Sequence, residues 1–312
     1  MKVVRLFLLA ALLPAACFAA ADCAMISQQA TLTFGVETDI PDLNDTFTVD
    51  VYHTDFEISF TANGWDTVYS FDPPAGEMDI DPNGSVLYVN EKARWNLSSV
   101  PSGYEFIGFT PGEMFWILPQ GLKSGVLHFG FAAEHSDTAN LCYWNPDDPE
   151  HVSSSNLWYR VKLLDVRGPA DSDFSVWTTN PLHVIMSTAD GGITDDDVYY
   201  IEDGLHEHMN WGFTKPGFYE VDLSVTTVYT CAAALTADIF PAVEGYYDDC
   251  VVDLGDFAVI SEDWLRTDCL SDPNNCLGGD ISDPNDGAVD YDDLTIMADQ
   301  WLSCGYPGCD EN

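Results

Sequence analysis

Cations are what this 312-residue chain has least of: ten Lys and Arg stand against 52 Asp and Glu, giving a formal charge of −42. Such a surface repels phosphate backbones and anionic bilayers, which excludes nucleic acid as a partner. Long apolar runs are also scarce. Beyond the first 21 residues no segment approaches the ~20 consecutive apolar residues of a membrane-spanning helix. A P-loop, a dinucleotide fingerprint and a Gly-x-Ser-x-Gly nucleophile elbow are all missing, so no familiar catalytic signature is present. Residues 31–230 also lack any long segment that keeps a helical period.

The chain opens with Lys2 and Arg5, an apolar stretch from Leu6 to Ala16, and Ala19-Ala20-Ala21. That order is a secretory signal peptide over residues 1–21, which implies a secreted, extracellular or cell-surface protein. Cleavage removes Cys17 and leaves eight of the nine cysteines in an oxidising compartment, where disulfides form. Three of them (Cys23, Cys142, Cys231) lie in or beside the first region, and five (Cys250, Cys269, Cys276, Cys304, Cys309) in the tail. If all eight pair, at least one bridge joins the two groups or one thiol pairs between chains.

What the chain does contain is 46% apolar residues, 13% of the total being aromatic, enough for a real core. From Thr31 to Thr230 short alternating segments follow one another, among them TLTFGVET, FTVDVYHTDFEISF, SVLYVN, GVLHFGFAAE, WYRVKLLDV and FYEVDLSVTTVYT. Turn signals such as PPAG, DPNG and TKPG separate them. Period-two alternation with such punctuation predicts a mainly β fold, an antiparallel β-sandwich over residues 22–235, with Trp116, Trp211 and Phe213 in its core.

After a linker at residues 236–244 the texture changes. Asp253–Leu265 (DLGDFAVISEDWL) and Asp290–Leu302 (DYDDLTIMADQWL) align without gaps, 37 positions apart. Each copy places apolar residues along one face of a helix, with Trp264 and Trp301 expected to close equivalent faces. Each helix is entered through an acidic segment suited to Ca²⁺, which takes six to eight oxygens. In the second copy Asp280 is the favoured first ligand, followed by Asp286, the Ala288 carbonyl, Asp290 and Asp293, with Gly287 at the sharp turn. The first copy keeps Asp249, Asp253 and Asp256 but has Gly245 and Tyr247 where donors belong and Cys250 at the glycine position, a weaker site. This pattern resembles the dockerin type I domain, here over residues 245–304 before a short tail at 305–312. The resemblance implies a small α-helical, EF-hand-like module that binds Ca²⁺ and docks onto a cohesin-like partner.

In the β region His206 and His208 form an H-x-H, and His53 with Asp55 an H-x-D. In a strand each pair shares a face, and these are ligand types of Zn²⁺ or another transition metal. His128 and His135, near Glu134, are left unpaired, because the i+7 spacing between them crosses from one face to the other. The ordered runs around His53-x-Asp55, VPSGYEFIGFTPGEMFWILPQ, GVLHFGFAAE, LLDVRGPADSDFSVW and HEHMNWGFTKPGFYEVDLSV resemble the choice-of-anchor M domain of bacterial surface-anchored proteins. That resemblance implies recurrent positions for His53, Asp55, Glu134, His206 and His208, on exported proteins some of which are encoded near metal-uptake transporters. The resulting expectation is a non-catalytic surface or extracellular-complex protein, a β-sandwich binding domain attached through a Ca²⁺-stabilised module. Two alternatives are a carbohydrate-binding or carbohydrate-active component, with a glycan as partner, and transition-metal capture by the β domain.

Overall fold

The computed structural model describes residues 23–38, 47–49, 53–61, 63–71, 78–82, 84–134, 136, 141–142, 156–231, 235, 237–239, 250–271, 276, 279–282 and 286–303. The signal segment, Asp249, Cys304 and Cys309 lie outside them. The strands are β1 (Cys23–Val36), β2 (Phe47–Val49), β3 (His53–Thr61), β4 (Gly64–Phe71), β5 (Met78–Ile80), β6 (Ser85–Val89), β7 (Arg94–Asn96), β8 (Met114–Leu118), β9 (His128–Ala132), β10 (Trp158–Arg167), β11 (Phe174–Thr179), β12 (Leu182–Ser187), β13 (Val198–Glu202), β14 (His206–His208), β15 (Asn210–Phe213) and β16 (Gly217–Thr230).

They form three sheets, ordered β13-β10-β16-β1-β6-β2, β12-β11-β15-β8-β7 and β14-β9-β3-β4-β5. The fold is mainly β and mostly antiparallel, as the alternation predicts. A simple two-sheet sandwich is corrected to three sheets, and β1–β6, β2–β6 and β3–β9 run parallel. The longest ladder joins β1 to β16, from Cys23↔Thr230 to Val36↔Gly217. Inward faces of all three sheets meet in one core, where Phe34, Phe129, Phe174, Trp211 and Phe213 pack with ring centroids 4.9–6.0 Å apart. Each such ring taken out of water contributes roughly 1.5–3 kcal/mol. Trp116, Trp211 and Phe213 are buried there as expected.

The two repeat copies fold into equal helices, α1 (Leu254–Glu262) and α2 (Tyr291–Asp299). Each begins with a capping box, Asp253 with Asp256 and Asp290 with Asp293, which satisfies orphan amides of the first turn. The copies exchange backbone bonds reciprocally. Val252 bonds Leu302 and Ser303 of the second copy, and Val289 bonds Leu265 and Arg266 of the first. Cys250 (φ 60°) occupies the left-handed turn that Gly287 (φ 87°) provides in the second copy, a conformation costly for a residue with a Cβ. Val252, Ile260, Val289 and Met297 form a core of their own.

The tryptophans differ. Trp264 is half-buried with its ring edge-on to Tyr291 at 5.4 Å, whereas Trp301 is 40% exposed. The position equivalent to Tyr291 in the first copy is Leu254, which offers Trp301 no aromatic partner. Disulfides link Cys23 to Cys142, Cys231 to Cys250 and Cys269 to Cys276, and the second of these joins the two cysteine groups, one of the two outcomes the cysteine count allowed. Such pairs are consistent with an extracellular protein. No helix among the described residues is long and apolar enough to cross a membrane.

Candidate metal centre

The register of the β14-β9-β3 sheet assembles the site. Parallel β3 sets His53 beside His128 and Asp55 beside Gly130, and antiparallel β14 sets His208 beside Gly130 and His206 beside Ala132. Residues two apart on a strand share a face, so all of these side chains emerge on one side, away from Phe56, Phe129 and Phe131 in the core. Gly130 is the empty square in the middle of this grid. A Cβ there would lie 2.4 Å from the Glu207 carbonyl oxygen and 2.9 Å from both Asp55 Oδ1 and His208 Nδ1. The glycine therefore makes the room in which the flanking groups meet.

His53 Nε2 and His208 Nε2 are 2.9 Å apart, and Asp55 Oδ2 lies 3.3 Å from His53 Nε2. Ligands ~2.0–2.1 Å from one ion stand about 2.9 Å apart at right angles and about 3.3 Å apart in a tetrahedron. Potential donor atoms of His53, His206 and His208 all lie within 4.8 Å of one another. His206 Nδ1 also contacts Glu134 Oε1 at 3.2 Å, on the solvent side. Asp55 Oδ1 is buried without a hydrogen-bond partner, 3.8 Å from His208 Nε2, a costly arrangement for a polar atom. The residues present thus fit a borderline divalent ion.

Electrostatics agree with the geometry. Burial pushes the Asp55 carboxyl up to about 6, against the pull of His53 and His206, and Glu134 and Glu57 add to the rise. Burial also lowers His208 to about 4, helped by the neighbouring imidazoles of His128, His53 and His206. His208 is therefore a neutral donor at physiological pH, the form a metal needs. Asp55 is ionised above about pH 6 and holds a proton below it, which a cation must then displace.

The five residues expected from sequence (His53, Asp55, Glu134, His206 and His208) come together, and three more join them. His128, which face-counting from 128 to 135 had set apart, stacks on His208 with ring centroids 3.6 Å apart, while its Nε2 bonds the Gln120 carbonyl oxygen at 3.0 Å. The relevant relation is its cross-strand register with His53. Gly130 was not singled out from the sequence, and the signal for it is a glycine inside a strand pattern, which marks close approach. Glu57, buried beside Ala132, continues the Asp55 face.

In the tail the acidic side chains are tied to backbone amides. Asp280, buried, accepts the Gly287 N–H at 3.0 Å and so closes the second loop. Asp293 accepts N–H groups of Ile281, Ser282 and Asp290, Asp256 those of Ile239 and Asp253, and Asp253 and Asp290 cap their helices. Asp286 bonds the N–H of Ala288, the residue whose carbonyl was assigned to Ca²⁺. Among the described residues, only the histidine cluster brings three His, Cys, Asp or Glu donors within 4.8 Å of one another. Compared with known protein families, curated proteins and solved structures, the chain finds no match, so the site's own chemistry carries the functional reading.

Proposed function

We propose that this is an exported, non-catalytic protein whose β domain captures Zn²⁺ or a neighbouring transition metal on His53, His206, His208 and Asp55. The observation that carries the reading is the convergence of donor atoms of His53, His206 and His208, with the buried Asp55 carboxylate 3.3 Å from His53 and meeting His208 across Gly130. His53 and His208 supply the fixed nitrogens, Asp55 the compensating charge, and His206 with Glu134 the solvent-facing side by which an ion enters. The charge of −42 raises the cation concentration around the molecule. Calorimetric titration of the full chain with Zn²⁺ tests it. One ion should bind at pH 7.5, and below about pH 6, where Asp55 retains its proton, binding should release a proton and affinity should fall roughly tenfold per pH unit per displaced proton. Failure to saturate at one equivalent would refute the assignment.

For the tail, a second observation favours attachment. The reciprocal repeat exposes Leu254, Phe257, Trp301 and Leu302, a surface suited to a protein partner. This supports reading the tail as a Ca²⁺-stabilised, dockerin-like module that docks onto a cohesin-like or cell-surface protein. Millimolar Ca²⁺ should raise the melting temperature of the full chain relative to chelator. Asp286→Ala, which removes a loop carboxylate that caps no helix, should diminish the gain. Identical melting curves in Ca²⁺ and chelator would remove this reading.

A further inference from the structure

The β12-β11-β15-β8-β7 sheet turns one face to the main core and the other to a smaller apolar cluster built on Phe106, Ile107, Phe109, Phe115 and Trp177. The chain between β7 and β8 folds over this outer face without closing it. A cavity of about 260 Å³ is left, lined by Trp95, Tyr104, Phe109, Phe115, Trp177 and Asn210 among others. Gly212 shapes its floor. A Cβ there would come within 2.8 Å of the Trp177 ring, so the glycine lets the indole lie flat against β15. The lining is almost wholly aromatic and aliphatic, and the buried Asn210 is already engaged, donating to the Trp177 carbonyl and Thr179 Oγ1 and accepting from the Gln120 N–H. An open pocket with such a lining favours apolar guests, and its volume suits a ligand smaller than the usual drug-sized occupant.

Charge selects among such guests. Lys123, one of only ten Lys and Arg in the chain, stands beside Trp95, one of the lining rings. Lys123 Nζ bonds the Lys92 carbonyl oxygen at 2.7 Å and lies 5.5 Å from the centre of the Trp95 ring. That bond uses one of the three ammonium donors. We infer that this pocket binds a small planar aromatic carboxylate, its rings between Trp95, Tyr104 and Trp177 and its anionic group on Lys123.

The site is separate from the metal centre and is tested without metal. Calorimetry of the full, disulfide-intact chain compares 2-naphthoate with neutral 2-naphthalenemethanol and cationic 2-naphthylmethylamine. Naphthoate should bind one to one, about tenfold more tightly than the neutral analogue, with the amine weakest. Lys123→Glu, a change on a loop, should cost naphthoate at least about tenfold in affinity and leave the neutral analogue unchanged. Ile117→Phe, which fills the cavity, should abolish both. The inference is overturned by absent saturation at millimolar naphthoate, by equal affinities for the three probes, or by naphthoate binding that survives Ile117→Phe in a folded variant. A dimer that naphthoate does not dissociate would also overturn it, because a second copy would then be the occupant.

Discussion

Replacing His208 by alanine is expected to lower Zn²⁺ affinity by more than about a hundredfold, since losing even an outer-shell partner of a metal ligand costs 10–100-fold. His208 is the natural target because its Nε2 lies 2.9 Å from that of His53, leaving room for one proton or one ion between them. His128→Ala should cost less, about tenfold, because His128 stacks on His208 and is held by the Gln120 carbonyl without joining the three-nitrogen cluster. Equilibrium dialysis against Zn²⁺ measures both. Equal losses in the two variants would show that the cluster acts through packing alone.

Asp55→Asn should have effects of opposite sign on binding and on folding. The carboxyl is 8% exposed and its pKa rises from 3.8 to about 6 on folding, chiefly through burial. A group raised in the folded state takes up a proton on folding, so its contribution is favourable below about pH 4. That contribution is lost as pH climbs through about 6. At pH 7.5 the ion-free protein therefore carries a buried charge costing on the order of 2–3 kcal/mol. Asparagine keeps the shape and removes the charge. In chelator the variant should be more stable than the parent by that order at pH 7.5, and nearly equal to it at pH 4. With Zn²⁺ the ranking should reverse, because only the parent retains the anionic ligand. Denaturant unfolding at the two pH values checks this. A variant less stable than its parent at pH 7.5 in chelator would contradict the electrostatic account.

Much of this architecture was legible because the chain writes it locally. Alternation marked β1, β3, β9, β10 and β16, and the repeat at 37 positions marked α1 and α2, though their capping aspartates were read as Ca²⁺ ligands. Three-residue strands such as β5 and β7 carry too few residues to show a period. The third sheet and the parallel β3–β9 pairing depend on contacts between distant segments, which no local window contains. The site divides the same way. His53 with Asp55 and His206 with His208 were visible as i, i+2 pairs. The join between them passes through Gly130, and His128 enters only through cross-strand register. Trp301 shows the converse limit: an identical residue in an aligned repeat is more exposed because its cross-copy neighbour is Leu254 and not tyrosine.

The central claim is that one ion sits over Gly130 between β3 and β14. Anomalous diffraction at the zinc edge from crystals of the full chain grown with one equivalent of Zn²⁺ addresses it directly. The account predicts a single strong peak ~2.0–2.1 Å from His53 Nε2 and His208 Nε2, with His206 and Asp55 completing the shell. A peak confined to the tail carboxylates, with none among these imidazoles, would contradict it.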